Sequence, residues 1–191
     1  MLKINGKVTE LKLKKILKYI KKGNKDNLTI IEIYGVDGAG KTFLVNKIKT
    51  KLKQKHKIKA FHLWNEKNEK NNKTIVPYKF KNYGYIISLI KEFYIIFRII
   101  FFITTVFIFY KNKRYCIFER SLYDLVVDPE RYRMSHKPFF IEMIYNFFFK
   151  DTKKIFLNIS YLLSKKRKNE ISKKKYLYIT NKLNKYFKNK T

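Results

Sequence analysis

The feature that most constrains the fold of this chain is a glycine-rich octapeptide, Gly35-Val-Asp-Gly-Ala-Gly-Lys-Thr42. It follows an apolar, β-branched run at 28–34 and precedes a helical pattern at 41–55, so it joins a strand to a helix. Glycines let the backbone turn tightly and point successive N–H groups at phosphate oxygens. Lys41 can reach the β- and γ-phosphates, and Thr42 can ligate Mg²⁺. The octapeptide therefore predicts that the chain binds a nucleoside triphosphate.

The residues expected to contact the nucleotide follow from this pattern, since the loop and the first turn of the next helix surround the phosphates. Asp37, inside the loop, has two interpretations: it points towards a second ligand, or it hydrogen-bonds its own loop, as Asp often does in turns. The expected nucleotide contacts are Gly35, Gly38, Ala39, Gly40, Lys41, Thr42 and Phe43.

The charge of the chain has two competing explanations. A formal net charge of +31 over 191 residues suggests a nucleic-acid or anionic-membrane partner. However, Lys, Asn, Ile, Phe and Tyr are abundant together, as A+T-rich codons would produce, and lysines are spread along the chain. Only six of the 45 basic residues are Arg, which is the better residue for bidentate phosphate recognition. Nucleic acid is therefore disfavoured as a partner, and an anionic membrane surface stays open.

Cysteine content and hydropathy predict a cytoplasmic location. The single cysteine, Cys116, lies in the apolar run 115–118 and is expected to be buried, with no disulfide within one chain. The N-terminal residues show no secretory signal. The apolar stretch 83–110 has an uncharged run of only 12 residues, 99–110, against about 20 for a bilayer span. We expect at most a peripheral attachment to the inner membrane face.

Hydrophobic periodicity predicts one α/β domain after a short extension. Residues 8–22 carry apolar side chains at helical spacing, so residues 1–27 are expected to form an amphipathic helical extension. Such a helix can pack on the domain, bind a partner or lie on an anionic membrane surface, and packing is the default expectation. Strands are predicted at 28–34, 57–63, 114–118 and 154–159, with helical patterns between them. This alternation over 28–191 indicates a three-layer fold with a parallel sheet covered on both faces. The polar stretch 64–82 is expected to be a long loop at the mouth of the site.

Three ordered motifs resemble those of the thymidylate-kinase-like P-loop nucleotide kinases. The first is the phosphate loop with its internal Asp37. The second is Ile117-Phe-Glu-Arg120, followed by Tyr123-Asp124 and Asp128-Pro-Glu-Arg-Tyr-Arg133, which is similar to a "DR…D…DPxRYR" segment of kinase-like proteins found with bacterial surface-polysaccharide enzymes. The third is Arg167-Lys-Asn-Glu170, similar to the lid pattern "RKxE". The resemblance covers about residues 28–187.

This resemblance implies transfer of a phosphoryl group from ATP, with Mg²⁺, to a nucleoside monophosphate or related phosphorylated acceptor. Such transfer depends mostly on positioning and charge neutralisation, which several cations around one phosphate loop would supply. The roles implied are catalysis for Lys41, Arg120 and Arg167; acceptor binding for Asp37, Arg120, Asp124, Arg131 and Arg133; a lid at 160–172 with Arg167 and Lys168; and metal ligation for Thr42 and Glu119.

Other interpretations of these residues remain open. Arg131 and Arg133 could form a structural ion-pair cluster with nearby acids, and 165–168 could be a solvated charge run. The relatives usually have Asp at the position of Glu119 and a hydroxyl residue at that of Phe43, and they continue into a fifth strand after the fourth. Lack of that strand predicts an open sheet edge. The alternative function is therefore a nucleotide-binding protein with weak or lost catalysis, peripheral to the membrane, and a homodimer is also compatible.

Overall fold

The computed structural model describes residues 1–22, 28–53, 58–61, 81–109, 115–168 and 171–188. These residues form an α/β domain around a parallel sheet, as the sequence predicts. The strands are β1 (Leu2–Asn5), β2 (Thr29–Tyr34), β3 (Ile58–Phe61), β4 (Tyr115–Phe118) and β5 (Lys153–Asn158). The helices are α1 (Glu10–Lys21), α2 (Lys41–Lys53), α3 (Tyr85–Phe109), α4 (Tyr123–Val127), α5 (Phe139–Phe148), α6 (Tyr161–Arg167) and α7 (Lys173–Lys188), with a 3₁₀ helix at Pro129–Tyr132.

The sheet brings the three sequence motifs together at the carboxyl ends of its strands. Its strand order is β1-β5-β2-β4-β3, and every pairing is parallel. β2 is the central strand, with Ile31 opposite Ile117 of β4 and Ile33 opposite Ile155 of β5. Because parallel strands end at the same side of a sheet, the segments after β2, β4 and β5 meet there, where ligands bind in open α/β sheets. Those segments carry the phosphate loop, residues 119–121 and α6.

The predicted open edge beside the strand at 154–159 is wrong. β1 pairs with β5 along its whole length, from Leu2 opposite Ile155 to Asn5 opposite Asn158. The backbone N–H of Gly6 extends the ladder by donating to the Asn158 carbonyl at 2.7 Å. Within the described residues no strand follows β5, as expected, but the first residues of the chain occupy the edge position. Four residues are too few to show a reliable strand period, and this pairing depends on a partner some 150 positions away.

Within the predicted extension 1–27, the described residues 1–22 therefore contribute a strand and a helix to the domain. α1 begins at the Thr9 cap, whose hydroxyl accepts a hydrogen bond from the Lys12 N–H. Its apolar stripe, Leu13, Ile16 and Ile20, is buried in the core. The prediction that the helical stripe packs on the domain is confirmed.

Right-handed crossovers assign the helices to the two faces of the sheet. The connections from β1 to β2 and from β2 to β3 run in one direction across the sheet, and those from β3 to β4 and from β4 to β5 run in the other. Such crossovers put α1 and α2 on one face and α3, α4 and α5 on the opposite face. The contacts of α5 with α3 and with α4 agree with this arrangement. Between the layers, β2, β4 and β5 are buried, and burial raises the pKa of the Cys116 thiol to about 11.

Helix α3 is 25 residues long and only partly covered. It buries Ile95, Ile99 and Glu92, whose carboxylate accepts a hydrogen bond from the Ile141 N–H of α5. Other large apolar side chains of α3 lie at the surface. In the part of the chain that the structure describes, no helix is long and apolar enough to cross a membrane. Nearly all of the predicted loop at 64–82 lies outside the described residues.

Candidate functional site

Two positions of the phosphate loop, Gly35 and Gly38, have no room for a side chain because distant parts of the chain pack against them. A Cβ on Gly35 would lie 2.8 Å from the carbonyl oxygen of Leu157 in β5. A Cβ on Gly38, where φ is +78°, would lie 3.0 Å from the carbonyl oxygen of Ser164 in α6. A larger residue would thus separate the loop from β5 or α6, besides straining the backbone at Gly38. The loop therefore packs directly against β5 and α6.

Lys41, the first residue of α2, points back across the loop. Its Nζ donates to the carbonyls of Gly35, at 2.5 Å, and Val36, at 3.2 Å, and lies 3.9 Å from Asp37 Oδ1. The side chain is only 8% exposed. Burial lowers the pKa of Lys41, and Arg120 and Arg131 add to that effect, while Asp37 and Asp124 oppose it. The ammonium group is placed beneath the loop, where it can transfer its hydrogen bonds to phosphate oxygens.

Thr42 and Glu119 come together at the mouth of the loop. The Thr42 hydroxyl donates a hydrogen bond to Glu119 Oε1, which links the start of α2 to the end of β4. Mg²⁺ prefers oxygen ligands and is usually held by one or two protein groups together with substrate phosphates and water. This donor pair fits that pattern. Among the described residues no group of three or more His, Cys, Asp or Glu could hold a metal ion. Bound Mg²⁺ would therefore depend on the nucleotide for most of its ligands.

The carboxylate of Asp37 pairs with two arginines from outside the loop. Its carboxylate forms an ion pair with Arg131 of the 3₁₀ helix, and Arg120 Nη2 donates to Oδ1 at 3.4 Å. Burial acts to raise the pKa of Asp37, but Lys41, Arg131 and Arg120 outweigh it and hold the pKa well below its usual range. The sequence left two roles open for Arg131, acceptor binding or a structural ion pair. In the structure Arg131 forms an ion pair, and its partner is Asp37 of the phosphate loop.

Asp124, on α4, is the second acid of this cluster. Burial raises its pKa to about 6, against the lowering effect of Lys41, Arg120 and Arg131. Asp124 lines a cavity of about 30 Å³ together with Gly35, Asp37, Lys41 and Arg131. The cavity is large enough for about one water molecule. A carboxyl group that titrates near neutral pH next to phosphate-binding cations is a candidate for proton transfer.

Arg133 lies apart from the cluster, although the sequence groups it with Arg131. It has φ of +58° and ends the 3₁₀ helix in the left-handed region. Its guanidinium lies 4.0 Å from the centroid of the Tyr83 ring, and its Nε donates to the Lys81 carbonyl at 3.1 Å. The change of backbone conformation at this residue directs its side chain to the segment before α3. The structure thus brings Arg120, Arg131, Asp37 and Asp124 together but not Arg133.

The segment predicted as a lid is held against the phosphate loop. Ser164 Oγ donates to the Asp37 carbonyl at 2.7 Å, and Arg167 Nη1 donates to the Gly38 carbonyl at 3.0 Å. α6 ends at Arg167, and the next residue, Lys168, lines the main cavity. Residues 169 and 170 of the predicted lid motif lie outside the described residues. Ser164 was not predicted, because its role depends on the contact between α6 and the loop.

The main cavity, so called because it is larger than the cavity that Asp124 lines, lies beside the loop and has a volume of about 530 Å³, within the range of small-molecule sites. Phe43, whose side chain is 53% exposed, lies at its rim. Two residues that sequence reasoning missed, Lys7 and Val8, also contribute to its wall. The full lining is Lys7, Val8, Asp37, Gly38, Ala39, Gly40, Lys41, Thr42, Phe43, Glu119, Arg120, Arg167 and Lys168.

A buried network supports the turn that carries Glu119 and Arg120. Ser121 Oγ donates to Glu32 Oε1 at 2.6 Å and accepts from the Tyr123 N–H at 3.2 Å. Glu32, in the middle of β2 and 1% exposed, also accepts hydrogen bonds from Tyr145 at 2.9 Å and Thr152 at 2.5 Å. The available sequence signal was an acid within the β-branched run 28–34. Such an acid must be satisfied by partners if the strand is central.

These features define a class of protein. A glycine-rich loop joins the central parallel strand to a helix, its lysine lies under the loop, and its threonine meets a carboxylate at the end of the neighbouring strand. That combination makes the chain a nucleotide-binding P-loop NTPase domain. Residues 10–190 match the KAP family P-loop domain, and the chain belongs to that family. The family confirms the predicted P-loop class, but not the thymidylate-kinase-like type suggested by the motifs.

Two further comparisons found nothing. No curated protein matches the chain, and no solved structure matches it.

Proposed function

We propose that the chain transfers the γ-phosphoryl group of MgATP to a phosphorylated small molecule, with a nucleoside monophosphate as the first candidate. The observation that supports this proposal is the pairing of Arg120 and Arg131 with Asp37, immediately beside Lys41. Binding of a triphosphate alone requires the loop, Lys41 and a metal. Two additional guanidinium groups, which suit bidentate contact with a phosphate, indicate a second phosphorylated ligand.

In this proposal the cluster exchanges one anion for another. Asp37 neutralises the two arginines in the ligand-free chain, and the phosphate of the acceptor takes over part of this pairing when it binds. Lys41 then contacts the β- and γ-phosphates, and Arg120 stabilises the charge that spreads over the transferring group. Arg167 lies at the other side of the loop, bonded to the Gly38 carbonyl, and closes the phosphate site from α6.

Thr42 and Glu119 would hold Mg²⁺ in this scheme, Thr42 directly and Glu119 directly or through water. The metal neutralises charge between the β- and γ-phosphates when it is bound. The resemblance of the second and third sequence motifs to thymidylate-kinase-like proteins also supports a phosphorylated acceptor.

The experiment is a screen of ATP turnover with the purified full chain. ADP formation is measured with MgATP alone and with each of a panel of nucleoside monophosphates and sugar phosphates. A true acceptor is expected to raise the rate at least about tenfold, which is 1.4 kcal/mol of barrier, and to carry the label from γ-³²P-ATP. Lys41→Ala provides the background. Equal release of inorganic phosphate with and without every acceptor would contradict the proposal.

Hydrolysis of the nucleotide is the second candidate, and the membership in a P-loop NTPase family favours it. Water then takes the place of the phosphorylated acceptor, and Asp124, with its pKa near 6, is the candidate for orienting it. The same screen separates the two functions. Hydrolysis yields labelled inorganic phosphate at a rate that no added phosphate ester increases.

A second proposed property is attachment to an anionic lipid surface through α3 and α5. Among the side chains of these helices that the structure describes, fifteen large apolar ones are exposed, and this exceeds the scattered apolar residues of a normal surface. Arg98, Lys137 and Lys150 are exposed on or next to the same helices, in a chain of net charge +31. Apolar side chains flanked by cations suit the boundary of an anionic bilayer. The exposed residues are Tyr85, Ile86, Ile87, Ile90, Phe93, Tyr94, Phe97, Ile100, Phe101, Ile108, Phe139, Phe140, Met143, Phe147 and Phe148.

Vesicle sedimentation tests the attachment. The chain is expected to bind vesicles that contain phosphatidylglycerol more strongly than pure phosphatidylcholine vesicles. The double variant Phe97→Asp and Phe101→Asp should lose this binding, whereas Leu11→Asp, at a 78% exposed position on the opposite face, should retain it. Self-association that the double variant abolishes, without any vesicle binding by the unaltered chain, would instead assign the surface to a homodimer.

A further inference from the structure

The main cavity extends beyond the groups that can hold phosphates. Its phosphate end consists of residues 37–42 of the loop with Glu119 and Arg120. The remaining wall consists of Phe43 and two segments from distant parts of the chain, Lys7 with Val8 and Arg167 with Lys168. A nucleoside triphosphate whose phosphates lie in the loop must place its sugar and base against this remaining wall.

The segment with Lys7 and Val8 is firmly held. Lys12 Nζ donates to the carbonyls of Asn5, at 2.5 Å, and Lys7, at 2.9 Å, and so ties the connection to the first turn of α1. The Gly6 N–H donates to the Asn158 carbonyl, and Asn158 Nδ2 donates to Asn5 Oδ1 at 3.1 Å. The connection between β1 and α1 is therefore fixed to the end of β5, beside the loop. A binding wall made of such a segment is formed before the ligand arrives, which limits the entropy cost of binding.

Val8 and Phe43 give this part of the cavity its apolar character. Val8 is partly buried and packs against the core, and the Phe43 ring is half exposed, with Lys47 Nζ 5.6 Å from its centroid. Nucleoside bases have apolar faces that stack on aromatic and aliphatic side chains. Phe43 cannot donate a hydrogen bond to the α-phosphate from its side chain, so its place at the rim is better suited to contact with the nucleoside.

We propose that the β1–α1 connection forms one wall of the nucleoside subsite, with the base or sugar of the bound triphosphate between Val8 and Phe43. This inference deepens the proposed function and rests on the binding of a nucleoside triphosphate in the phosphate loop. It assigns a ligand contact to a segment that precedes the part of the chain matched by the family, residues 10–190. The edge strand β1 then has two roles, since it closes the sheet and completes the nucleotide site.

Paired affinity measurements test the subsite. The affinities of the full chain for MgATP and for inorganic tripolyphosphate with Mg²⁺ are compared in Val8→Asn and in the matched control Leu11→Asn, on the exposed side of α1. Val8→Asn removes apolar contact without adding charge. It is expected to weaken ATP about tenfold, the size of a lost base contact, and to leave tripolyphosphate within about twofold. Leu11→Asn should change neither.

Photolabelling supplies a test that does not depend on any variant. The unaltered chain is irradiated with 2-azido-ATP and with 8-azido-ATP, digested with trypsin, and the labelled peptides are identified by mass spectrometry. Label is expected on the peptide 8–12 or on the peptide that contains Phe43, and excess ATP should suppress it.

The outcomes distinguish this inference from the function on which it rests. The inference is overturned if Val8→Asn binds both ligands as the unaltered chain does, if it loses both equally, or if label is confined to other peptides. Should the unaltered chain bind tripolyphosphate but place its label elsewhere, the phosphate loop stands and the nucleoside wall is wrong. Should it bind neither ATP nor tripolyphosphate, the proposed function fails as well.

Discussion

The hydroxyl group of Thr42 donates a hydrogen bond to the carboxylate of Glu119, across 77 positions of sequence. Thr42 is the second residue of α2, the helix after the phosphate loop, and Glu119 follows the last residue of β4. The pairing of β2 with β4, in which Glu32 lies opposite Phe118, brings the two groups to the same edge of the sheet. The pairing of these strands thus places together the oxygen atoms that we expect to hold Mg²⁺.

Glu119 is therefore predicted to control the use of the metal. Glu119→Gln keeps the size of the side chain but removes the charge that attracts Mg²⁺. We expect turnover to fall about 100-fold, as a loss of metal positioning would cause, while binding of ATP without Mg²⁺ changes little. Turnover titrated against Mg²⁺ measures the first effect and calorimetry the second. Glu119→Asp should retain more activity than Glu119→Gln, and an equal loss in both would argue against a ligand role.

Lys41 is predicted to supply most of the charge that binds the triphosphate. Lys41→Ala removes the buried ammonium and its hydrogen bonds to phosphate, and we expect a loss of affinity of about 10–100-fold. Titration calorimetry with MgATP measures this loss, and circular dichroism shows whether the domain remains folded. Unchanged ATP binding in a folded variant would remove the basis for the phosphate-binding assignment.

Arg131 and Arg133 are predicted to differ, although they are two positions apart. Arg131 pairs with Asp37, whereas Arg133 stacks on Tyr83. Arg131→Ala should lower turnover with the acceptor at least about tenfold and change ATP affinity by much less. Arg133→Ala should act mainly on stability. Steady-state kinetics with both substrates varied, together with thermal melts, separates the two effects. A larger kinetic defect in Arg133→Ala than in Arg131→Ala would contradict this prediction and would support an acceptor-binding role for Arg133.

Asp124 is predicted to make stability depend on pH. Its folded pKa of about 6 lies above the ordinary value of 3.8, because burial favours the protonated form. The stability contributed by this proton is complete below about pH 4 and is lost as the pH rises through 6. Asp124→Asn should therefore gain stability relative to the unaltered chain between pH 4 and 7, by up to about 3 kcal/mol. Urea unfolding at several pH values measures the gain, with the exposed Asp151→Asn as control. A difference that does not vary with pH would contradict it.

Glu32 is predicted to be essential for stability because three hydroxyl groups, two of them fully buried, donate to its buried carboxylate. Glu32→Leu would leave the hydroxyls of Ser121, Tyr145 and Thr152 without this acceptor inside the protein. We expect a loss of at least about 3 kcal/mol, the sum of several desolvation costs. Glu32→Gln, which keeps an acceptor, should lose less. If Glu32→Leu proved as stable as the unaltered chain, the network would not support the fold.

The phosphate-binding part of the site could be predicted because its residues are contiguous in sequence and follow a local pattern. A strand, a glycine-rich loop and a helix are contiguous in sequence, so the octapeptide 35–42 determined the class of fold and the residues around the phosphates. Strand–helix alternation determined the parallel sheet, and parallel strands bring Arg120, two residues after β4, to the edge where the loop lies. Arg167, at the end of α6, reaches the loop only because α6 packs against it. The periodic stripe of Leu13, Ile16 and Ile20 was sufficient to predict that α1 packs on the core.

Only the tertiary structure decided which distant groups pair. It placed the four-residue strand β1 on the edge of β5, joined Asp37 to Arg131 rather than to Arg133, and gave Glu32 its three hydroxyl partners. It also brought Val8 to the wall of the main cavity. Local propensity does not specify such contacts, because each depends on strand register, on one backbone dihedral, or on a partner more than 80 positions away. The sequence by itself determined the class to which the loop belongs, and the packing of the described elements decided which residues surround it.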